Sequence, residues 1–440
     1  MEELEIPQSV RVAIQSRVSK MPPTCQEMLR LAAILGREFE FETLFAASDP
    51  SSGSGQGLGE EGLIEALECA SRAQLVEEVG AEQDVTFAFT HALIPATLSE
   101  GVSTLRRRRL HRRAAAAIER LHPDDFEALA YHCAEAGDEE RALAYHTQAG
   151  ERASAAYANV EAEGHYRAAL ELVEVEAEWA DLLWELGRML SRQSRYEEAI
   201  EVWQRGIARY QALGVQEGVA RLYARAARAA WYLGDTPRGL RLCREGMAAV
   251  AGAPESPDYA DLLHETARAC HFNGLPDEAA SLCRQALEMA GRLGAVRVQA
   301  EALATLGNLP GMAYEEALST LTRAIELTEP AGLLDQAARA HTNLGARLLD
   351  ARAAREHFSR AAELERQRGE IGSELFHACN AARHSLLLGD LAAVEETLPS
   401  LRRLLDAAEK PGAAALWLGW LEVLLLRYKG ELSQAIEELQ

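Results

Sequence analysis

The feature that most constrains this chain is a repeat. From about residue 176 onward, helical segments return roughly every 40 residues as a helix, a short turn and a second helix. The clearest copy reads DLLWELGRMLSRQSRYEEAIEVWQRGIARY. Its first helix carries Leu183, Leu186, Gly187 and Leu190, and its second carries Tyr196, Ala199, Trp203 and Gly206. The spacing of Ala199, Trp203 and Gly206 puts two small residues and one large one on a single helical face. Small residues recur on the first helices at Gly187, Ala227, Ala267, Gly307, Gly345 and Ala382, and on the second helices at Ala199, Gly239, Ala279, Ala317, Ala354 and Val394. An earlier hairpin, LAYHCAEAGDEERALAYHTQAGERA, places Gly137, Ala142 and Ala149 in matching positions. One hairpin cannot bury its apolar face alone, so about eight of them must stack into an all-α solenoid.

Two copies depart from the register. Between Gly307 and Ala317, and between Gly345 and Ala354, the spacing is short, which predicts tighter turns or shifted helices. Turn glycines at Gly234, Gly274, Gly389 and Gly430 suit left-handed helix ends. Residues 122–175 read as a joint holding the first hairpin, in which SAAYANVEAEGHYRAALELV repeats the small–aromatic–small face at half the usual interval. Residues 176–440 form the regular array.

Residues 1–121 are different. IPQSVRVAIQSRVSKMPP, TCQEMLRLAAILG and FEFETLFAAS read as three short helices, with Gly36 as a stop. A Gly/Ser-rich loop at 49–59 and a fourth helix, LIEALECASRA, follow. Strand candidates run from Gln74 to Val79 and from Val85 to Phe89 around a turn at Gly80. Helices are expected from His91 to Val102 and from Thr104 to Leu121. Three helices and a β-hairpin make a small winged-helix domain.

Composition removes several classes of function. Aromatic residues are only 6% of 440 residues, and the net charge is −23, which opposes general binding to nucleic acid or anionic membranes. No apolar run approaches the roughly 18 residues of a transmembrane helix, and MEELEIPQSV lacks the features of a secretory signal. The 7 scattered cysteines fit a reducing cytoplasm. Lysine occurs only at Lys20, Lys410 and Lys429, and none closes a phosphate-cradling Walker loop. No nucleophile elbow, ordered triad or metal-ligand spacing is evident, so the chain is read as non-enzymatic and without a metal or cofactor of its own. Cys243 and Cys283 occupy the large second-helix position and read as core residues.

These segments carry a resemblance. The hairpins over 126–440 resemble tetratricopeptide repeats, lengthened from the usual period of about 34 residues. They look closer still to the superhelical sensors of maltose-regulon-activator-type regulators. The run IPQSVRVAIQSRVSKMPPTCQEMLRLAAILGREFEFETL, with VTFAFTHALIPATL and RRRRLHRRAAAAIERL, resembles the winged helix that follows the nucleotide-binding module in signal-transduction ATPases with numerous domains (STAND). That resemblance implies a part of a longer cytoplasmic bacterial regulator, entering the family partway and stopping in the opening of a second helix at Ala435–Gln440. It also implies that ATP or ADP and Mg belong to the parent protein rather than to this segment. By the same resemblance, His91 in FTHAL contacts the β-phosphate of ADP in the parent.

Three further features bear on partners. Arg188, Arg228 and Arg268 recur at the position after the first-helix small residue; Arg383 repeats it, and Asn308 takes it in between. With Trp231, Tyr232, His271 and Phe272 nearby, this column could line a concave groove for a carboxylate-bearing peptide, a small molecule or a protein effector. Structural ion pairs to acids of neighbouring repeats are the competing reading, and they weigh more in so acidic a chain. The run Arg106, Arg107, Arg108, Arg109, Arg112 and Arg113 suggests DNA, but it lies after the wing. Leu105, Leu110, Ala114, Ala117, Ile118 and Leu121 are expected to form a buried stripe beneath it. The function expected is therefore a regulatory sensor whose repeats bind an effector and whose winged helix controls a nucleotide-binding module. A DNA-binding regulator and a constitutive protein scaffold are the alternatives.

Overall fold

A computed structural model describes residues 8–48, 59–79, 85–407, 412–431 and 433. The expected Gly/Ser-rich loop, the turn at Gly80 and the final helix at Ala435 lie mainly or wholly outside these residues. The fold is all-α and tetratricopeptide-like, with 22 helices and three short strands among the described residues. The chain divides into two compact units, Met1–Arg195 and Tyr196–Gln440.

The first unit opens with α1 (Gln8–Ser19), α2 (Pro23–Leu35), β1 (Glu38–Glu40), α3 (Phe41–Ser48), α4 (Glu60–Arg72), β2 (Val76–Glu78) and β3 (Thr86–Phe89). The strands form an antiparallel sheet in the order β1-β3-β2, with Phe39 opposite Phe87 and Val76 opposite Phe89. The hairpin of β2 and β3 appears where the sequence places it. The third strand does not follow the reading of FEFETLFAAS as one helix. Its first residues extend to pair with β3, so Phe39 reaches the core beside Phe89, with ring centroids 5.6 Å apart. Leu29, Leu44, Leu63 and Leu75 complete that core.

α5 (Leu93–Glu100) and α6 (Thr104–Leu121) follow. α6 packs on α2 and α3 through Leu110, Ala114 and Ala117. The stripe is narrower than expected, because Leu105 is 82% exposed and Leu121 is also exposed. Five residues of helix rotate Leu105 about 140° away from Leu110, off the buried face. α7 (Phe126–Ala136), α8 (Glu139–Ala155), α9 (Asn159–Leu172) and α10 (Glu176–Arg192) then pack each on the next.

The second unit runs through α11 (Tyr196–Leu213), α12 (Gln216–Tyr232), α13 (Thr236–Ala249), α14 (Pro257–Phe272), α15 (Pro276–Arg292) and α16 (Val296–Leu306). It continues with α17 (Tyr314–Thr328), α18 (Leu334–Arg347), α19 (Ala351–Arg368), α20 (Ile371–Leu387), α21 (Leu391–Ala407) and α22 (Gly412–Lys429). First helices also pack on one another, α12 on α14, α14 on α16 and α16 on α18. The columns of small residues are where helices meet. A Cβ added at Gly239 would lie 3.1 Å from the carbonyl oxygen of Ala227, and one at Gly307 would lie 2.7 Å from Cγ of Leu321. Trp203, Cys243, Cys283, Leu321 and Phe358 fill the large second-helix position and are buried. The short spacing after Gly307 is absorbed by the helix itself. α16 has 11 residues against 17 in α12, and Gly307 is its cap.

Candidate functional site

Two of the arginines expected to line a groove, Arg228 and Arg268, sit in a layer of charge on the first helices of the second unit. Arg221 of α12 pairs with Asp258 of α14 at 2.7 Å. Arg225 pairs with Asp261, which also takes Arg297 of α16 at 3.1 Å. Arg228 pairs with Glu265, and the other oxygen of that carboxylate holds Arg268 at 2.9 Å. Glu301 accepts from Arg297 at 3.0 Å and from the amide of Gln336 at 3.1 Å. Arg228 and Arg268 are thus bound to a neighbouring-repeat acid and to one on the same helix.

Electrostatics agree with that assignment. Burial by itself would raise the Glu265 carboxyl, yet Arg228, Arg268 and His264 hold it well below the usual carboxylate range. Glu301 is lowered in the same way, against burial, chiefly by Arg228. His264 lies completely buried in the middle, its Nε2 2.9 Å from Thr305 Oγ1, and burial pushes its pKa down to about 4.

The acids of this layer carry a sequence signal that the arginine column alone does not bring out. Arg221 and Asp261 are one period apart, as are Arg225 and Glu265, and Asp261 and Glu301. A search for charge reversal along each column, rather than for arginine alone, finds them. The sequence shows no metal-ligand spacing, yet packing of α14 on α16 gathers ligand atoms of Asp261, His264, Glu265 and Glu301 within 4.8 Å of one another. This set does not suit a metal. Each of its carboxylates already accepts from a guanidinium, and a dication would join Arg225, Arg228, Arg268 and Arg297 in one buried volume.

The remaining column members behave differently. Arg188, in the first unit, bonds Glu185 on its own helix at 2.6 Å and stacks over Trp184. Arg383 contacts a ring nitrogen of His384 at 3.3 Å, and burial lowers its pKa. Asn308 leaves the column: α16 ends at Leu306, so Asn308 is an exposed turn residue rather than a helical one.

The aromatic residues come together. Tyr196 stacks on Tyr232 at 4.9 Å, Tyr232 meets Trp231 edge to face, and Trp231 lies 5.3 Å from Phe272, which contacts His271. The Arg268 guanidinium lies over Trp231 at 4.7 Å. Tyr232 and Phe272 are 54% and 45% exposed, so this ladder presents ring surface to solvent.

His91 is exposed in the turn before α5, and its Nδ1 accepts from the backbone N–H of Leu93 at 3.2 Å. In the neutral ring that leaves the proton on Nε2. His91 borders an open cleft of about 680 Å³ lined also by Arg17, Ser71, Gln74, Glu77 and Thr90. The arginine run is partly engaged: Arg113 Nε donates to the Ala47 carbonyl at 2.7 Å, and Arg106 lies 3.8 Å from Glu27. No helix among the described residues is long and apolar enough to cross a membrane.

No family model matches the sequence, and no curated protein matches it. Among solved structures, the fold is similar to a STAND protein with a tetratricopeptide repeat sensor from Pyrococcus horikoshii, with a TM-score of 0.50 and 14% identity. That match covers 96% of this chain and 64% of the other, so this chain spans under two thirds of its length. A weaker likeness, at a TM-score of 0.44 and 13% identity, is to the quorum sensor NprR from B. thuringiensis, covering 71% of this chain and 93% of that one. The apo form of RapI is similar at a TM-score of 0.48 and 12% identity, with 67% and 84% covered.

Proposed function

We propose that this chain is a regulatory sensor segment. Its repeat helices bind an effector through the ladder of Tyr196, Tyr232, Trp231 and Phe272, and residues 1–121 act as a winged helix that controls a nucleotide-binding module. The observation that carries the binding reading is the exposed ring surface of Tyr232 and Phe272 beside arginines already neutralised by Glu265. An effector that meets this surface brings apolar or aromatic side chains, as a peptide or protein segment does, rather than a bare carboxylate. The likeness of fold to a protein with a tetratricopeptide repeat sensor supports the same reading.

His91 enters as the nucleotide contact of the parent protein. Its exposed position at the cleft and its Nε2–H suit donation to a phosphate oxygen. Such a bond contributes about 1.5–3 kcal/mol, so His91→Ala is expected to weaken ADP retention roughly 10- to 150-fold. Moving a switch from 1:99 to 99:1 takes about 5.5 kcal/mol, so the other nucleotide contacts and effector binding together must supply the rest. The decisive experiment compares nucleotide-driven assembly of the full-length parent with that of Trp231→Ala/Phe272→Ala and of a deletion of 196–440. Assembly that responds to effector equally in all three would sink the proposal.

A further inference from the structure

Two histidines clasp α6 to α7. Nδ1 of His111 lies 2.9 Å from Nδ1 of His132, and the side chains are only 2% and 3% exposed. Two Nδ1 atoms at that distance hold one proton between them: one ring is the Nδ1–H tautomer and donates, and the other keeps its lone pair and accepts. A proton arriving at the outer Nε2 of the donor leaves the bond intact. A proton arriving at the accepting Nδ1 removes its lone pair and sets two donors face to face.

The surroundings oppose extra positive charge. His111 stands inside the run Arg106–Arg109, Arg112 and Arg113 on its own helix. Arg107 acts on it from one turn away. The opposing groups on α7 are Glu135, a carboxylate that favours the charged form of His111, and Tyr131, whose ring meets His111 edge to face at 5.6 Å. On α8, which also packs on α7, Arg141 and Tyr145 are held by Glu119 of α6. On α2, Glu27 faces Arg106; on α3, the Ala47 carbonyl takes Arg113. Arg108 lies against Gly137 in the turn that ends α7, adding another cation at that end.

We infer that the His111–His132 pair is a proton-released clasp, closed at neutral pH and opened by acid, that frees α7 from α6. Opening exposes both rings to water, where each takes its proton at about 6.5, whereas burial in the closed state pushes His132 down to about 4. The open state therefore binds more protons over this window, and acid favours it. At about pH 5 those two values correspond to a roughly 30-fold rise in the opening constant. The inference does not depend on what the repeat helices bind. A comparable pair, His341 and His357 at 2.8 Å between α18 and α19, has Glu329 3.4 Å from His341 Nε2, a carboxylate placed to accept the first proton's charge.

The test uses the whole chain. Hydrogen–deuterium exchange is followed by mass spectrometry at about pH 7.5 and about pH 5, with exchange times scaled for intrinsic chemistry. Peptides from α6 and α7 are expected to open roughly 30-fold more at the lower pH, with a smaller change in α11–α13. His111→Gln/His132→Gln, whose amides can bridge without titrating, is expected to remove the pH dependence of α6 and α7. Histidine C2–H exchange on the unaltered protein reads each ring directly and keeps the test decisive should the double variant misfold. One ring of the pair is expected to titrate well below 6.5. The inference is overturned by α6 and α7 protection that ignores pH down to about 5, by a wild-type profile shared with the double variant, or by both rings titrating near 6.5.

Discussion

Glu265 is the residue on which the charge layer turns. Its side chain is 1% exposed and serves both Arg228 and Arg268. Glu265→Gln leaves Arg268 without its carboxylate and Arg228 with only the more distant Glu301, at 3.6 Å, and a loss of about 3–5 kcal/mol is expected, read from the urea midpoint. The pH dependence has a definite sign. Because the folded carboxyl is held below its ordinary value, its contribution is complete above about 4.5 and fades as pH falls through the folded value. An unfolding series from neutral pH down to about pH 3 checks this, and the Gln variant should flatten that part of the curve. The arginine column is visible in the sequence, and so is the competing reading of ion pairs. Only the packing of helices assigns the partners, since Arg228 meets an acid 37 residues on, not 40. Pairing follows the lateral offset between packed helices rather than the repeat length.

Between helices, small residues decide how closely two elements approach. Gly307→Ala would put its Cβ against Leu321, and about 1–3 kcal/mol of destabilisation is expected from thermal or urea unfolding. Gly291, within α15, has nothing within 4 Å of where a methyl would sit and no left-handed backbone, so Gly291→Ala should stabilise by about 0.5–1 kcal/mol. The contrast separates packing from helix propensity, and equal effects at both sites would contradict the close approach of α16 and α17. These columns are legible from spacing because a helix of 3.6 residues per turn maps sequence directly onto one face. β1 is not, because Glu38–Glu40 is extended only by its pairing with β3, a partner nearly fifty residues away in the chain. Asn308 falls outside its expected column for a related reason: the position where α16 stops depends on how its hairpin closes.

Over the full chain, buried histidines link stability to pH. Burial lowers His132, His264 and His377 each to about 4, while in the unfolded chain they titrate near 6.5. Unfolding therefore takes up protons as pH falls below 6.5, and each of the three is expected to cost about 2 kcal/mol at pH 5 relative to pH 7. Urea midpoints at the two pH values measure the sum, and His377→Asn should recover part of it. The order of residues is enough to specify the helical hairpins, their interval, the meeting points of small and large residues, and the β-hairpin near the N-terminus. Each of these follows from local geometry and the periodic burial of apolar side chains. Packing in three dimensions specifies which charges pair, which histidines share a proton, that His91 borders an open cleft, and which aromatic rings remain uncovered. Those contacts join residues on different helices, and their distances are set by packing angle and lateral offset, which no single segment of the chain specifies.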